Sequence, residues 1–230
     1  LISHPFDFFL NDLALNFSFD RNLSKFLLML ISLVCINLSR GFSQDLLSEE
    51  GWNMVSSSSD MKVYTRIVAS SSIKELRIDF NMTGTVASVM QVLDDVEGYS
   101  NWVYKCEEPE RITTVSGREF YYYVQTDMPF PASDRDLIIR SRHQIDPVSG
   151  IYRAHSLAVP EYLPNREGMV RVQNFESFWT VTPSGNGRVA IDYRVRTDPG
   201  GSIPAWIINL GITMGPVKTM EQLAATVQEY

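Results

Sequence analysis

The chain has 230 residues, 44% hydrophobic and 20% charged, which are the values of a globular protein of one domain or a small pair and exclude a disordered or collagen-like chain. A formal net charge of -7 argues against binding nucleic acid, because recognition of phosphates needs a basic stripe and the chain has none.

The N-terminal segment is organised differently from the rest. Arg21 and Lys25 precede an apolar stretch over 26–38, and Gly41-Phe42-Ser43 puts small residues at the minus three and minus one positions of a cut after Ser43. This is the pattern of a signal peptide over 21–43, and its apolar part is shorter than the roughly 20 residues of a spanning helix. The mature chain is therefore expected to be secreted or periplasmic. Arg40 beside the cut is not ideal for cleavage, so a buried helix or an uncleaved anchor stays as the alternative. Residues 1–20 lie upstream of the signal and are read as a non-structural extension. Cys35 falls within the signal, which leaves Cys106 alone in the mature chain without an internal disulfide. A lone thiol reads as a small buried hydrophobe.

From about Gly51 the chain becomes strands and turns. A strand over 61–69 is followed by the turn Ser70-Ser71-Ser72, after which Leu76, Ile78, Phe80 and Met82 alternate with Arg77, Asp79 and Asn81, the period of a strand with one buried face. Thr85 then caps a helix with Val86, Val89, Leu93 and Val96 at spacings of three and four, and Gly98 ends it. Turns at Val115-Ser116-Gly117, Asp146-Pro147-Val148-Ser149-Gly150 and Ser184-Gly185-Asn186-Gly187 predict direct hairpins, hence an antiparallel meander.

Within that meander lies Met128-Pro129-Phe130-Pro131-Ala132-Ser133-Asp134-Arg135-Asp136, delivered straight into an apolar run. Catalysis by paired carboxylates needs them to converge on a substrate with separated pKa values. Two aspartates flanking an arginine form local salt bridges and hydrogen bonds more readily, and each proline fixes its own φ and extends its predecessor. The stretch is read as a locked corner. His143 and His155 share strand parity on either side of a turn, which makes them near neighbours across a hairpin, yet two imidazoles lack the third ligand that zinc takes. No metal, cofactor or catalytic residue is expected, and the motifs of hydrolase elbows, zinc proteases and phosphate loops are absent.

The last predicted element is one long helix. Ser202 can cap it and Pro204 open it, with Ile203, Ile207, Leu210, Met214, Val217, Met220, Ala224 and Val227 on one stripe and a kink near Thr213 caused by Gly215-Pro216.

Three stretches in register carry a resemblance: Tyr99-Ser100-Asn101-Trp102-Val103, the Arg135-Asp136-Leu137-Ile138 core of 131–139, and Gly201-Ser202-Ile203-Pro204-Ala205-Trp206-Ile207-Ile208-Asn209. Together they resemble the START (StAR-related lipid-transfer) domains, in a bacterial-type form, over residues 51–230. The resemblance implies an α+β helix-grip fold: a curved antiparallel β-sheet wrapped around a long C-terminal α-helix, with an internal hydrophobic cavity for one lipid or sterol-like molecule and no chemistry. The implied lining is Trp102, Tyr122, Met128, Phe130, Arg140 and Tyr193, with Trp206, Ile207, Leu210, Met214 and Val217 from the final helix. Parity alone leaves open which of Tyr121, Tyr122 and Tyr123 faces inward. Many sterol-binding members carry a buried acid and arginine. Here those positions fall near Lys105 or Cys106 and near Arg140 or Ser141, so the pair is not placed, and Glu107 and Arg140 are the candidates for it. The expected behaviour is that of a monomer carrying or sequestering a lipid with transient membrane contact. It would open at the C-terminal helix and at the loop 160–168. An enzyme on the same scaffold, like the related cyclases and hydratases, and an interaction domain with a collapsed cavity stand as alternatives.

Overall fold

The computed structural model describes residues 46–130 and 132–230; the predicted signal segment and the residues upstream of it lie outside the described residues. The period-two runs form ten strands: β1 Asn53–Ser57, β2 Met61–Arg66, β3 Glu75–Thr83, β4 Cys106–Ser116, β5 Glu119–Thr126, β6 Arg135–Ile145, β7 Tyr152–Ala158, β8 Val170–Arg171, β9 Asn174–Gly185 and β10 Arg188–Asp198. They make one curved sheet in the order β1-β2-β3-β10-β9-β7-β6-β5-β4. Every pairing along that path is antiparallel; the two-residue β8 adds a parallel contact to the start of β6. The three predicted hairpins are present as β4/β5, β6/β7 and β9/β10.

Alternation sorts the side chains. Leu76, Ile78, Phe80 and Met82 of β3, Leu137 and Ile139 of β6, and Val189, Ile191 and Val195 of β10 join one apolar core on the inner face. Arg66, Glu75, Arg77, Asp79, Asp192 and Arg194 lie on the outer face, where Arg66 and Glu75 pair at 2.6 Å in full burial. The segment before β1 covers part of that face: Leu46 is buried, and Arg66 Nη1 donates to the carbonyls of Ser48 and Glu50, both at 3.0 Å.

Helix α1 spans Val86–Asp94 and starts as predicted, with Thr85 and Ser88 exchanging side-chain and backbone hydrogen bonds in a capping box. It stops at Asp94, short of Gly98. Val96 is buried in the link, and Gly98 precedes a separate turn of helix, α2, Tyr99–Trp102. The C-terminal helix is not continuous either. It forms α3, Ala205–Gly211, and α4, Met214–Thr226, separated at Ile212 and Thr213, and Pro204 rather than Ser202 stands at the cap position. The cause is Pro216. Lacking an N–H, it suits the first turn of a helix, where no intrahelical acceptor is needed, so the chain restarts there instead of bending.

The two helices are seated differently. Helix α4 buries Met220 and Leu223 on the inner face, and Val227 follows just beyond it. Gly84, at φ +144, admits that contact, since a Cβ there would lie 2.7 Å from Val227 Cγ1. Helix α3 buries no side chain.

Candidate functional site

Antiparallel register brings the ends of β5, β7 and β10 and the starts of β3, β6 and β9 to one rim of the sheet. The connectors 127–134, 159–169 and 199–204 hang from this rim, and the Asp134-Arg135-Asp136 stretch fastens all three. Asp134 Oδ1 accepts the Met128 N–H at 2.9 Å, which closes the corner. Arg135 donates to the carbonyls of Pro199 at 3.2 Å and Gly200 at 3.0 Å, and to that of Ser133. Burial holds its guanidinium below the usual arginine pKa, Asp134 offsetting part of that. Gly201 is required beside it, at φ +73, because a Cβ would meet Arg135 Nη2 at 2.9 Å. Asp136, fully buried, accepts both Nε and Nη2 of Arg171 at 2.9 and 2.8 Å, and Arg171 in turn donates to the carbonyls of Pro160, Leu163 and Pro164. The triplet is a lock, as expected from sequence, although the three residues fasten distant loops instead of pairing with one another.

The inner face of the sheet is largely apolar, with Arg135 at the rim and Arg111 of β4 over the Phe120 ring, and it carries one connected polar array. Ser141, Ser156 and Ser177 stand in a single row across β6, β7 and β9, beside a row of His143, Ala154, Trp179 and Tyr193. Ser141 Oγ lies 2.8 Å from both Ser156 Oγ and His143 Nε2, and Ser156 hydrogen-bonds the Tyr122 hydroxyl. His143 Nδ1 is 2.7 Å from the Tyr152 hydroxyl and 2.7 Å from Asp94 Oδ1, so the array reaches the C-terminal end of α1. Burial pushes the phenols of Tyr122, Tyr152 and Tyr193 well up, and the Cys106 thiol to about 12, aided by Glu107. All four stay protonated at neutral pH.

The predicted lining divides into groups. Trp102 and Tyr122 are buried in the interior, which assigns the inward tyrosine of the triplet; Tyr193 and Val217 are half-buried against the same core. Met128 is half-buried in the corner. Ile207, Met214, Leu210 and Trp206 sit on α3 and α4 with substantial exposure, reaching 82% at Leu210 and 68% at Trp206. Two placements are corrected. Phe130 is 97% exposed, because the corner that Asp134 closes turns it outward at the tip. Arg140 has the parity of Ile138 and Tyr121 rather than of Ile139, so it lies on the outer face, 3.8 Å from Glu119. Glu107 is exposed, and the acid-arginine pair does not form; inward parity belongs to Ser141, and Cys106 is buried in the core. The histidines are also corrected. His143 opposes Ala154 while His155 opposes Arg142, so they occupy opposite faces, His155 at 2.8 Å from Glu176.

Sequence reading missed the array and one tether. Ser141 and His143 follow Leu137 and Ile139 at the strand's period and were legible as inward groups. Their partners Ser156, Tyr152 and Asp94 were not, because pairing register cannot be read from one strand. The tether is Asn209 on α3, whose Oδ1 accepts the Lys74 N–H at 2.8 Å and whose Nδ2 donates to the Ser72 carbonyl at 2.9 Å.

A curved antiparallel sheet whose inner face is covered by a short inserted helix and the C-terminal α4 is a helix-grip protein. The match to known proteins is more specific: the model of the START domain covers residues 39–230, and the chain belongs to that family. An uncharacterised protein of Pseudomonas aeruginosa is 29% identical over 180 residues, 78% of this chain and 88% of the relative. The phosphatidylcholine transfer protein of Rattus norvegicus is 24% identical over 186 residues, 78% of this chain and 85% of the relative. Among solved structures, a STAR-related lipid transfer protein fragment from Xanthomonas axonopodis superposes with a TM-score of 0.72 at 28% identity, covering 78% of this chain and 99% of that one. Human STARD10 superposes at 0.73 with 21% identity, covering 83% of this chain and 78% of that one.

Proposed function

We propose that the protein holds one lipid-like molecule between the inner face of the sheet and its C-terminal helices, carrying or sequestering it without chemical change. One observation carries this reading: α3 buries no side chain, while Tyr193 and Phe175 on the inner face keep accessible surface. Burial raises the Tyr193 phenol strongly, and the space proposed for the lipid is the one this ring borders. An apolar chain entering such a space gains about 0.8 kcal/mol per methylene, so sixteen carbons gain on the order of 12 kcal/mol before ordering costs. A bilayer offers the same gain. The protein therefore needs shielding and a way to open more than net affinity.

Family membership and the lipid-transfer relatives support the same reading. The exposed Phe130, Tyr162, Leu163, Trp206 and Leu210 lie on the rim connectors and on α3, which begins at the rim, and they supply a surface for transient contact with a membrane. Export through the predicted signal segment and action as a monomer complete the proposal. The test is to extract the purified protein with organic solvent and weigh what is released. A lipid recovered unchanged, at about one per chain, is expected; recovery of a chemically altered lipid, or of none after incubation with vesicles, sinks the reading.

A further inference from the structure

Resting on the lipid-binding reading above, we propose that the ligand group seated against the middle of the sheet is an uncharged hydrogen-bond acceptor. An ester, amide or hydroxyl oxygen of a neutral lipid meets this requirement; a phosphate headgroup does not. The first observation is an orphan donor. Trp102 is 3% exposed, and its Nε1 has no hydrogen-bond partner. An indole N–H only donates, and leaving it unpaired in the interior is costly, so the missing partner is an acceptor.

The second observation is independent and lies on the sheet opposite. Tyr193 keeps accessible surface on the inner face, and no hydrogen bond or charge contributes to the shift of its phenol. Its ring centroid is 4.4 Å from that of Trp179, which is also 6.5 Å from that of Trp102 in an edge-on arrangement. Both rings therefore neighbour one indole, that of Trp179. Next to them runs the serine row, whose hydroxyls are neutral and able to adjust their protons to an incoming oxygen.

The third observation concerns charge. Among the described residues, the inner face of β3, β5, β7, β9 and β10 presents no carboxylate, ammonium or guanidinium, and the one guanidinium of that parity on β4, Arg111, lies 4.0 Å over the Phe120 ring and donates to the Asp94 carbonyl. On β6 the sole permanent charge of that parity is Arg135, and its guanidinium is spent on rim carbonyls. His143, on the same face, has both ring nitrogens engaged by Ser141, Tyr152 and Asp94. A phosphate drawn into the middle of this wall would be a buried charge with no uncommitted counter-ion, since Arg111 and Arg135 are already held by backbone carbonyls, a far larger penalty than the loss of two hydrogen bonds.

To test this, the purified protein is incubated with vesicles holding equal amounts of dioleoylglycerol and dioleoylphosphatidylcholine and with squalene, a lipid lacking any acceptor. It is then recovered by gel filtration, and the bound lipid is weighed. The inference expects dioleoylglycerol to exceed dioleoylphosphatidylcholine by roughly tenfold or more. It also expects Trp102→Phe and Tyr193→Phe each to lower that preference severalfold while squalene binding is unchanged. Equal or preferential recovery of the phospholipid by the unaltered protein overturns it, as does a preference that both variants retain. Squalene bound without either glycerolipid overturns it and leaves the lipid-binding reading standing; none of the three bound overturns both.

Discussion

Asp136 fixes a loop that begins two dozen residues away in sequence, because its carboxylate orients the Arg171 guanidinium that gathers the carbonyls of Pro160, Leu163 and Pro164. Asp136→Asn keeps the shape and removes the charge, leaving a buried cation unpaired. The expected loss is about 3–5 kcal/mol, read as a fall in the urea midpoint; a catalytic carboxylate would leave that midpoint in place. That the triplet locks a corner was legible from its prolines and its crowding of charge. Which loops it locks was not, since its partners stand 35, 64 and 65 residues along the chain and only the folded register brings them near. Cys106 carries a second prediction at this scale. With its thiol pushed up to about 12, the folded protein holds the proton across the range where a free cysteine would lose it. Iodoacetamide at pH 8 is expected to leave the native thiol unmodified and to label it fully in urea, by intact mass. Rapid native labelling would remove the account of Cys106 as buried and protonated.

Among the elements, α3 and α4 were legible as one stripe of apolar residues and emerge as two helices with opposite seating. Periodicity reports which residues share a face but not whether anything packs against that face. The buried Met220 and Leu223 and the exposed Trp206 and Leu210 therefore read alike in sequence. The interruption itself was legible through Pro216. Helix α3 is held by the paired hydrogen bonds of Asn209 to the loop before β3, each contributing about 0.5–1.5 kcal/mol. Asn209→Ala is expected to speed amide exchange over 205–211 by roughly tenfold and to leave protection over 214–226 unchanged. Equal loosening of both helices would show them to be one unit.

For the molecule as a whole, the curved sheet was legible because each strand declares its period and each hairpin its turn. The rim was not, since an exposed ring such as Phe130 and a buried one such as Tyr122 have the same local signature. The rim's exposed apolar side chains lead to the prediction at this scale. Replacing Trp206 and Leu210 together by alanine should slow lipid transfer between vesicles severalfold. Stability should stay within about 0.5 kcal/mol, because neither side chain contributes to the core. Unchanged transfer would separate α3 from the membrane step. One further consequence follows from the clasp that Arg135 makes on Pro199 and Gly200 just ahead of α3, and from the seated α4 just behind it. A segment pinned at both ends can only swing, like the handle of a pail, and has little chain entropy to gain when released. Were α3 the gate of the lipid-binding reading proposed above, its return would need no search, and thermal motion alone would suffice to open and shut it.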